Sequence, residues 1–137
     1  MAETDAVETA LRALRHRDRS VAELEARLEE RGVGEAERQE ALETLERMGY
    51  VDDERVARSR AEQLAARSAG NALIRHDLEG RGIASEFVLA ALDALEPERE
   101  RAERIAATRG RSAKTARYLA SRGFGRDALE AVVAAED

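Results

Sequence analysis

Three stretches decide the fold: Leu28-Glu-Glu-Arg-Gly-Val33, Leu78-Glu-Gly-Arg-Gly-Ile83 and Leu119-Ala-Ser-Arg-Gly-Phe124. Each reads Leu-x-x-Arg-Gly and then an apolar residue. In a helix that ends there, the glycine takes the left-handed conformation one residue past the end. The leucine and the trailing apolar residue then stand at the two positions that touch in a Schellman motif. An arginine in the last turn suits the negative end of the helix dipole. The phrase is therefore a helix terminator with an apolar clasp, formed by Leu28, Gly32 and Val33, then Leu78, Gly82 and Ile83, then Leu119, Gly123 and Phe124. It turns the chain into the next helix.

The copies are 50 and then 41 residues apart, and other apolar positions recur at the same offsets. Leu24 falls on Ile74, Leu14 on Leu64 and Ile105, and Leu42 on Leu92 and Val133. Upstream of the first copy, Ser20 and Glu23 form a capping box that opens the helix ending at Leu28. Good helix formers dominate, proline occurs once and aromatics make up 3% of the chain. The expected fold is all-α, with three tandem three-helix repeats over residues 1–50, 51–96 and 97–137, stacked into an elongated, curved array. Asp52 or Asp53 is expected to cap the fourth helix, Asn71 the fifth, Ser85 the sixth and Ser112 the eighth. Pro97 should stand at the first position of the seventh. Tyr50 is expected to pack between the first two units. The last helix is short of apolar bulk.

No cysteine is present, which removes disulfides and thiol chemistry and fits a reducing compartment. The start of the chain has no apolar core of the secretory type, and no stretch is apolar for long enough to span a bilayer. A soluble, cytoplasmic, monomeric protein without a membrane partner is expected. Lys and Arg number 23 against 29 acids, a net charge of −6, unevenly spread. The three segments carry −5, −3 and +2. From Arg104 to Arg126 the chain holds Arg104, Arg109, Arg111, Lys114, Arg117, Arg122 and Arg126 and no acid. With Tyr118 beside Lys114 and Arg117, this run is the candidate contact surface for a nucleic-acid strand or an acidic partner. Five such contacts to single-stranded DNA would give a log–log salt slope of about −3.5.

Other constellations read as architecture. Gly110-Arg-Ser-Ala-Lys114-Thr115 lacks the spacing and preceding strand of a phosphate-binding loop. Asp52 and Asp53 are adjacent, point apart and suit a helix start. His16 and His76 have no second ligand at metal spacing, so no metal, cofactor or catalytic pair is expected. The rival readings are a generic helical scaffold for another protein partner and a duplex-reading helix-turn-helix, though for the latter the third helix carries Glu35, Glu37, Glu40, Glu43 and Glu46, which would repel phosphates.

Arg19-Ser20-x-x-Glu23-Leu24, Met48-Gly-Tyr50-Val-Asp52-Asp53 with Arg55 and Ala57, and the Arg-Gly-apolar triplets at 81–83 and 122–124 resemble the RecX family, from about residue 8 to 134. The resemblance implies a non-enzymatic regulator that binds RecA, lies in the groove of its filament on single-stranded DNA and hinders filament growth, ATP hydrolysis and strand exchange. It also implies direct DNA binding by some members. The chain departs from the family at Val56, where a Phe is usual, in the less basic loop Ala69-Gly70-Asn71, and in its overall acidity. These departures bear on direct DNA contact and not on the fold.

Overall fold

The computed structural model describes residues 3–134. Among them the chain forms nine helices and no strand: α1 (Glu3–Leu14), α2 (Val21–Glu30), α3 (Glu35–Arg47), α4 (Asp53–Ala66), α5 (Asn71–Gly80), α6 (Ser85–Asp93), α7 (Glu98–Arg109), α8 (Ala113–Ser121) and α9 (Arg126–Ala134). They pack in threes, and every extensive helix–helix contact lies within one triplet. Three separate apolar clusters result. The first is built around Leu24, Leu28, Leu42 and Leu45, the second around Leu64, Ile74, Leu78 and Leu92. The third holds only Ala102, Ala106, Leu119, Phe124, Ala128 and Val132 as buried members, with Ile105, Tyr118 and Leu129 against them.

The repeated phrase forms the same clasp three times. Gly32, Gly82 and Gly123 have φ of 81°, 76° and 89°. The amides of Val33, Ile83 and Phe124 donate to the carbonyls of Leu28, Leu78 and Leu119 at 3.0, 3.4 and 3.1 Å. All six of these clasp residues are buried. The next residue in each copy (Gly34, Ala84, Gly125) leads into the third helix of its triplet.

This geometry corrects four sequence expectations. Ser85 is the first helical residue of α6 and Ala84 its N-cap, because the clasp ends at Ile83 and leaves Ala84 as the extended residue. Asn71 likewise sits inside α5, whose N-cap is Gly70. The side chain and amide of Asn71 are taken by groups from the next triplet, described below. Pro97 is the N-cap of α7 and not its first residue. Tyr50 is half exposed instead of packed between units: Gly49 (φ 80°) closes a further clasp on α3, and Val51, 2% exposed, takes the interior position. Asp52 caps α4 by accepting from the Arg55 amide at 3.1 Å.

The third unit also departs from its expected register. Val133 is exposed and Val132 is buried. Ala102, Ala106 and Ala128 share the third cluster with Val132, so Val132 and not Val133 is the valine that completes it.

Because the cores are separate, the units are held together by two joints of the same design. At the first, the Ser20 hydroxyl donates to the Arg81 carbonyl at 2.6 Å, and the Val21 amide donates to the Asp53 carboxylate at 2.9 Å. At the second, the amides of Gly70 and Ala72 donate to the carbonyls of Arg122 and Gly123 at 2.8 and 3.1 Å, and the Asn71 amide donates to Glu98. Each joint therefore sets the phrase of one unit, plus an acid from that unit's first helix, against the start of the preceding unit's middle helix. The acid takes a free amide in both, while the phrase carbonyls take the Ser20 hydroxyl at the first joint and the Gly70 and Ala72 amides at the second. That supply explains why Gly70 needs no capping side chain.

Close approach sets the residue types at the joints. A β-carbon on Gly82 would lie 2.5 Å from Cβ of Ala22, and one on Gly123 2.7 Å from the Leu73 nitrogen. A β-carbon on Gly70 would lie 2.4 Å from the Gly123 carbonyl carbon, whereas one on Gly32 would meet nothing.

Candidate functional site

The basic face of the third unit is built by the turn between α7 and α8. Gly110 ends α7 with φ 101° and ψ 145°, a conformation open in practice to glycine alone. Its amide donates to the Ala106 carbonyl at 2.7 Å. The chain then reverses through Arg111 to Ser112, whose hydroxyl accepts from the Thr115 amide at 3.2 Å and starts α8. The reversal lays the Arg109 guanidinium over the Tyr118 ring, 3.7 Å from its centroid. An exposed stack of this kind contributes about 0.5–1 kcal/mol and presents a flat cationic plate. Tyr118 is itself half-buried against the third core. Lys114 and Arg117 stand exposed on the same side of α8 as Tyr118, and neither forms an ion pair within the described residues. Arg111 keeps Nη1 buried without a hydrogen-bond partner. Arg109, Arg111, Lys114, Arg117 and Tyr118 thus form one cationic surface with an aromatic beneath it.

The remaining cations of the basic run lie elsewhere. Arg104 is paired with Glu96, and Arg126 pairs with Glu130 at 3.7 Å on the exposed side of α9. Arg122 turns back to the second unit and donates to the carbonyls of Arg67 at 2.9 Å and Ser68 at 3.3 Å. It is part of the second joint. The arginines of the first two phrases differ again. Arg31 is exposed, while Arg81 pairs with Asp77 at 2.9 Å and Glu23 at 3.3 Å.

Two features have no sequence signal in the phrase or the basic run. Arg101 is only 7% exposed. It donates to the carbonyls of Ala69 and Glu96, each at 2.9 Å, and to the Asn71 side chain, and its guanidinium lies 5.7 Å from the Phe124 ring centroid. Burial depresses its pKa against the opposing pull of Glu98 and Glu96, and it remains charged. Its isolation among Glu98, Glu100 and Glu103 makes it look like one more surface charge. The second feature is the α1–α2 loop, where Arg15, His16 and Arg17 are exposed in a unit whose net charge hides them.

At the first joint Asp77 lies between Arg60 and Arg81, 3.1 and 2.9 Å away. Burial alone would raise its pKa, but the hydrogen bonds and charges of the two arginines overcome burial and hold it below the ordinary value. Asp53 behaves in the opposite way. Burial raises it, and the neighbouring Asp52 and Glu23 add to the rise, against the hydrogen bond from Val21.

No group of three or more His, Cys, Asp or Glu side chains that could hold a metal occurs among the described residues. No helix among them is long and apolar enough to cross a membrane.

Residues 6–45 match the family model for the first three-helix domain of RecX. The regulatory protein RecX of Thermus thermophilus is 38% identical over 126 residues, which cover 88% of this chain and 84% of that protein. The chain belongs to the RecX family. The RecX of Syntrophotalea carbinolica is 41% identical over 102 residues, 73% of this chain and 66% of that protein. The RecX of Deinococcus radiodurans is 32% identical over 126 residues, 85% of this chain and 60% of that protein. The chain therefore spans somewhat under two thirds of the length of these last two relatives. The crystal structure of RecX from Lactobacillus salivarius superposes with a TM-score of 0.83 at 20% identity, covering 97% of this chain and 95% of that one. A second RecX crystal structure gives 0.81 at 22% identity, covering 95% of this chain and 72% of that one. At these identities the likeness establishes a shared fold, the tandem three-helix array of RecX.

Proposed function

We propose that this RecX-family chain is a non-enzymatic modulator of the RecA recombinase, acting as an inhibitor. It lies along the groove of the RecA–single-stranded DNA filament and limits filament growth, ATP hydrolysis and strand exchange. The observation that carries this reading is the separation of charge along a jointed array. The first unit offers the glutamates of α3, and the third offers the cationic surface of Arg109, Arg111, Lys114, Arg117 and Tyr118. A three-unit array with one acidic and one basic end suits a long partner with alternating protein and phosphate surface, and such complementarity steers encounter and fixes orientation. In this reading residues 1–50, 51–96 and 97–137 act as three contact modules of one monomer in the cytoplasm.

A helix-turn-helix reading of duplex DNA is disfavoured, because the third helix of the first unit exposes Glu35, Glu40, Glu43 and Glu46 where a reading helix needs cations. The test is the single-stranded-DNA-dependent ATPase of RecA from the same organism, titrated with this protein. Inhibition well below one molecule per RecA subunit is expected. An unchanged ATPase up to equimolar protein would refute the proposal. Charge reversal of Arg111, Lys114 and Arg117 to Glu is expected to weaken inhibition with helicity intact.

A further inference from the structure

The loop that precedes the middle helix is basic in every unit. It contains Arg15, His16, Arg17 and Arg19 with the single acid Asp18 before α2, Arg67 before α5, and Arg111 after the terminal Arg109 of α7 and before α8. These loops occupy the same place in the repeat, so the period of the fold is also the period of the charge.

Arg81, from the second phrase, lines a cleft of about 120 Å³ with Arg17, Asp18 and Arg60, in which Arg60 and Arg81 are balanced by Asp77 and Arg17 is not paired within the described residues. Arg122, from the third, is bonded to the backbone of Arg67. Acids that could neutralise the first loop are engaged elsewhere. Both oxygens of Asp18 are held by Arg55, through Nε at 3.1 Å and Nη2 at 3.2 Å, and Arg55 is anchored in turn on the carbonyls of Gly49 and Tyr50. Asp77 is shared by Arg60 and Arg81. Arg15 and Arg17 remain exposed without an opposing carboxylate within the described residues. Arg19 is tucked in with Nε on the Ala13 carbonyl. Its pKa is depressed by burial and then by Arg17 and Arg27, with Glu23 alone offsetting them, which marks like charges held together without balance.

We propose that the three pre-helix loops form one track for the phosphates of a single nucleic-acid strand, and that Arg15 and Arg17 of the first unit are a second phosphate-contact site, separate from the basic surface of the third. A linear, evenly charged, flexible polymer matches a cation pattern that recurs with each repeat. An acidic protein patch gives no reason for that recurrence. The first loop offers no Phe, Tyr or Trp ring and no amide side chain, and its arginines outnumber its one imidazole, so the contact is with the phosphate backbone and independent of sequence. The proposal takes the strand from the functional reading above and stands without RecA.

The test uses the full chain, a fluorescein-labelled oligothymidylate and no RecA, with anisotropy titrations at several NaCl concentrations. Binding by the unaltered chain should weaken with salt by about 0.7 log units per log unit of salt for each phosphate contact. Arg15→Gln/Arg17→Gln should flatten the slope by about 1.4, and Arg15→Glu/Arg17→Glu should lower affinity more than about 10-fold at low salt (about 1.4 kcal/mol per factor of ten). Circular dichroism should be unchanged in both. Lys114→Glu/Arg117→Glu should produce an additional, independent loss.

Absence of strand binding by the unaltered chain overturns the proposal, and so does a slope that the Gln pair leaves unchanged. A Gln pair that keeps its slope on the strand but loses RecA inhibition would assign the loop to an acidic protein surface, which also overturns it. Strand binding that depends on Arg15 and Arg17, together with an unaffected RecA ATPase, would remove the functional reading and leave the phosphate site standing.

Discussion

Removing the Arg101 side chain should separate the third unit from the second. Arg101 brings three donors to the joint, two on the carbonyls of Ala69 and Glu96 and one on the side chain of Asn71. It also covers the Phe124 ring. In Arg101→Ala the bond to Ala69, which is buried, is lost without replacement, at about 1–3 kcal/mol for an orphaned buried acceptor. Loss of the cation over the ring adds about 0.5–1 kcal/mol. The expected cost is therefore about 3 kcal/mol, a large fraction of what a core of six mostly small buried residues can hold.

The loss is local, so the informative assay is amide hydrogen exchange beside urea unfolding. The amides of Gly70 and Ala72 are protected only by the carbonyls of Arg122 and Gly123 across the joint. They should exchange much faster in the variant, along with α7–α9. Val21, whose amide is held by Asp53 at the other joint, should keep its protection. Arg99→Ala is the control: Arg99 is exposed and pairs only with Glu103 on its own helix, so its loss should cost under about 0.5 kcal/mol. Unchanged exchange at Gly70 and Ala72, or a cost for Arg101→Ala no larger than the control, would refute the view that a buried arginine holds the joint.

Other outcomes follow from the same geometry. Gly32→Ala should cost about 1–2 kcal/mol from its positive φ alone, and Gly123→Ala should cost more in urea unfolding because its β-carbon would meet Leu73 backbone. Gly70→Ala has an ordinary φ of −85° and should still cost about 2 kcal/mol or more, since only the opposing backbone forbids it. Asp77 is held below its ordinary pKa of 3.8, so its contribution is full above that value and is lost as pH falls through the lower folded value. Asp53 is shifted upward, so it favours folding below its unfolded pKa and loses that contribution as pH rises through the folded one. Stability measured from about pH 2 to about pH 6 should therefore fall less steeply on the acid side in Asp77→Asn, and more steeply in Asp53→Asn. Tyr50→Ala should change stability by under about 0.5 kcal/mol, measured by thermal unfolding, because the ring is half exposed.

Much of the architecture is written in the sequence because it is local. A Schellman clasp needs one leucine, one glycine and one apolar residue within six positions, and its recurrence sets the count of units and the three-helix pattern. The capping box at Ser20 and Glu23 and the cap at Ser112 are local in the same way, and both form as expected. Expectations failed where residues distant in sequence compete for one group. Asn71 reads as a cap, but Glu98 and Arg101 take its amide and side chain. Tyr50 reads as buried, but the clasp at Gly49 gives the interior to Val51.

The basic run shows the same division. Its composition is plain in sequence, but its seven cations go to a helix-borne surface, two ion pairs and a joint. Sequence alone determined that this protein is a chain of three clasped helical units with a basic end, because helix termination and charge are properties of neighbouring residues. Tertiary structure alone decided which arginines are structural. Arg81 reaches Glu23, and Arg101 and Arg122 reach the carbonyls of Ala69, Arg67 and Ser68, only when two units meet, and that meeting depends on backbone approach between segments distant in the chain.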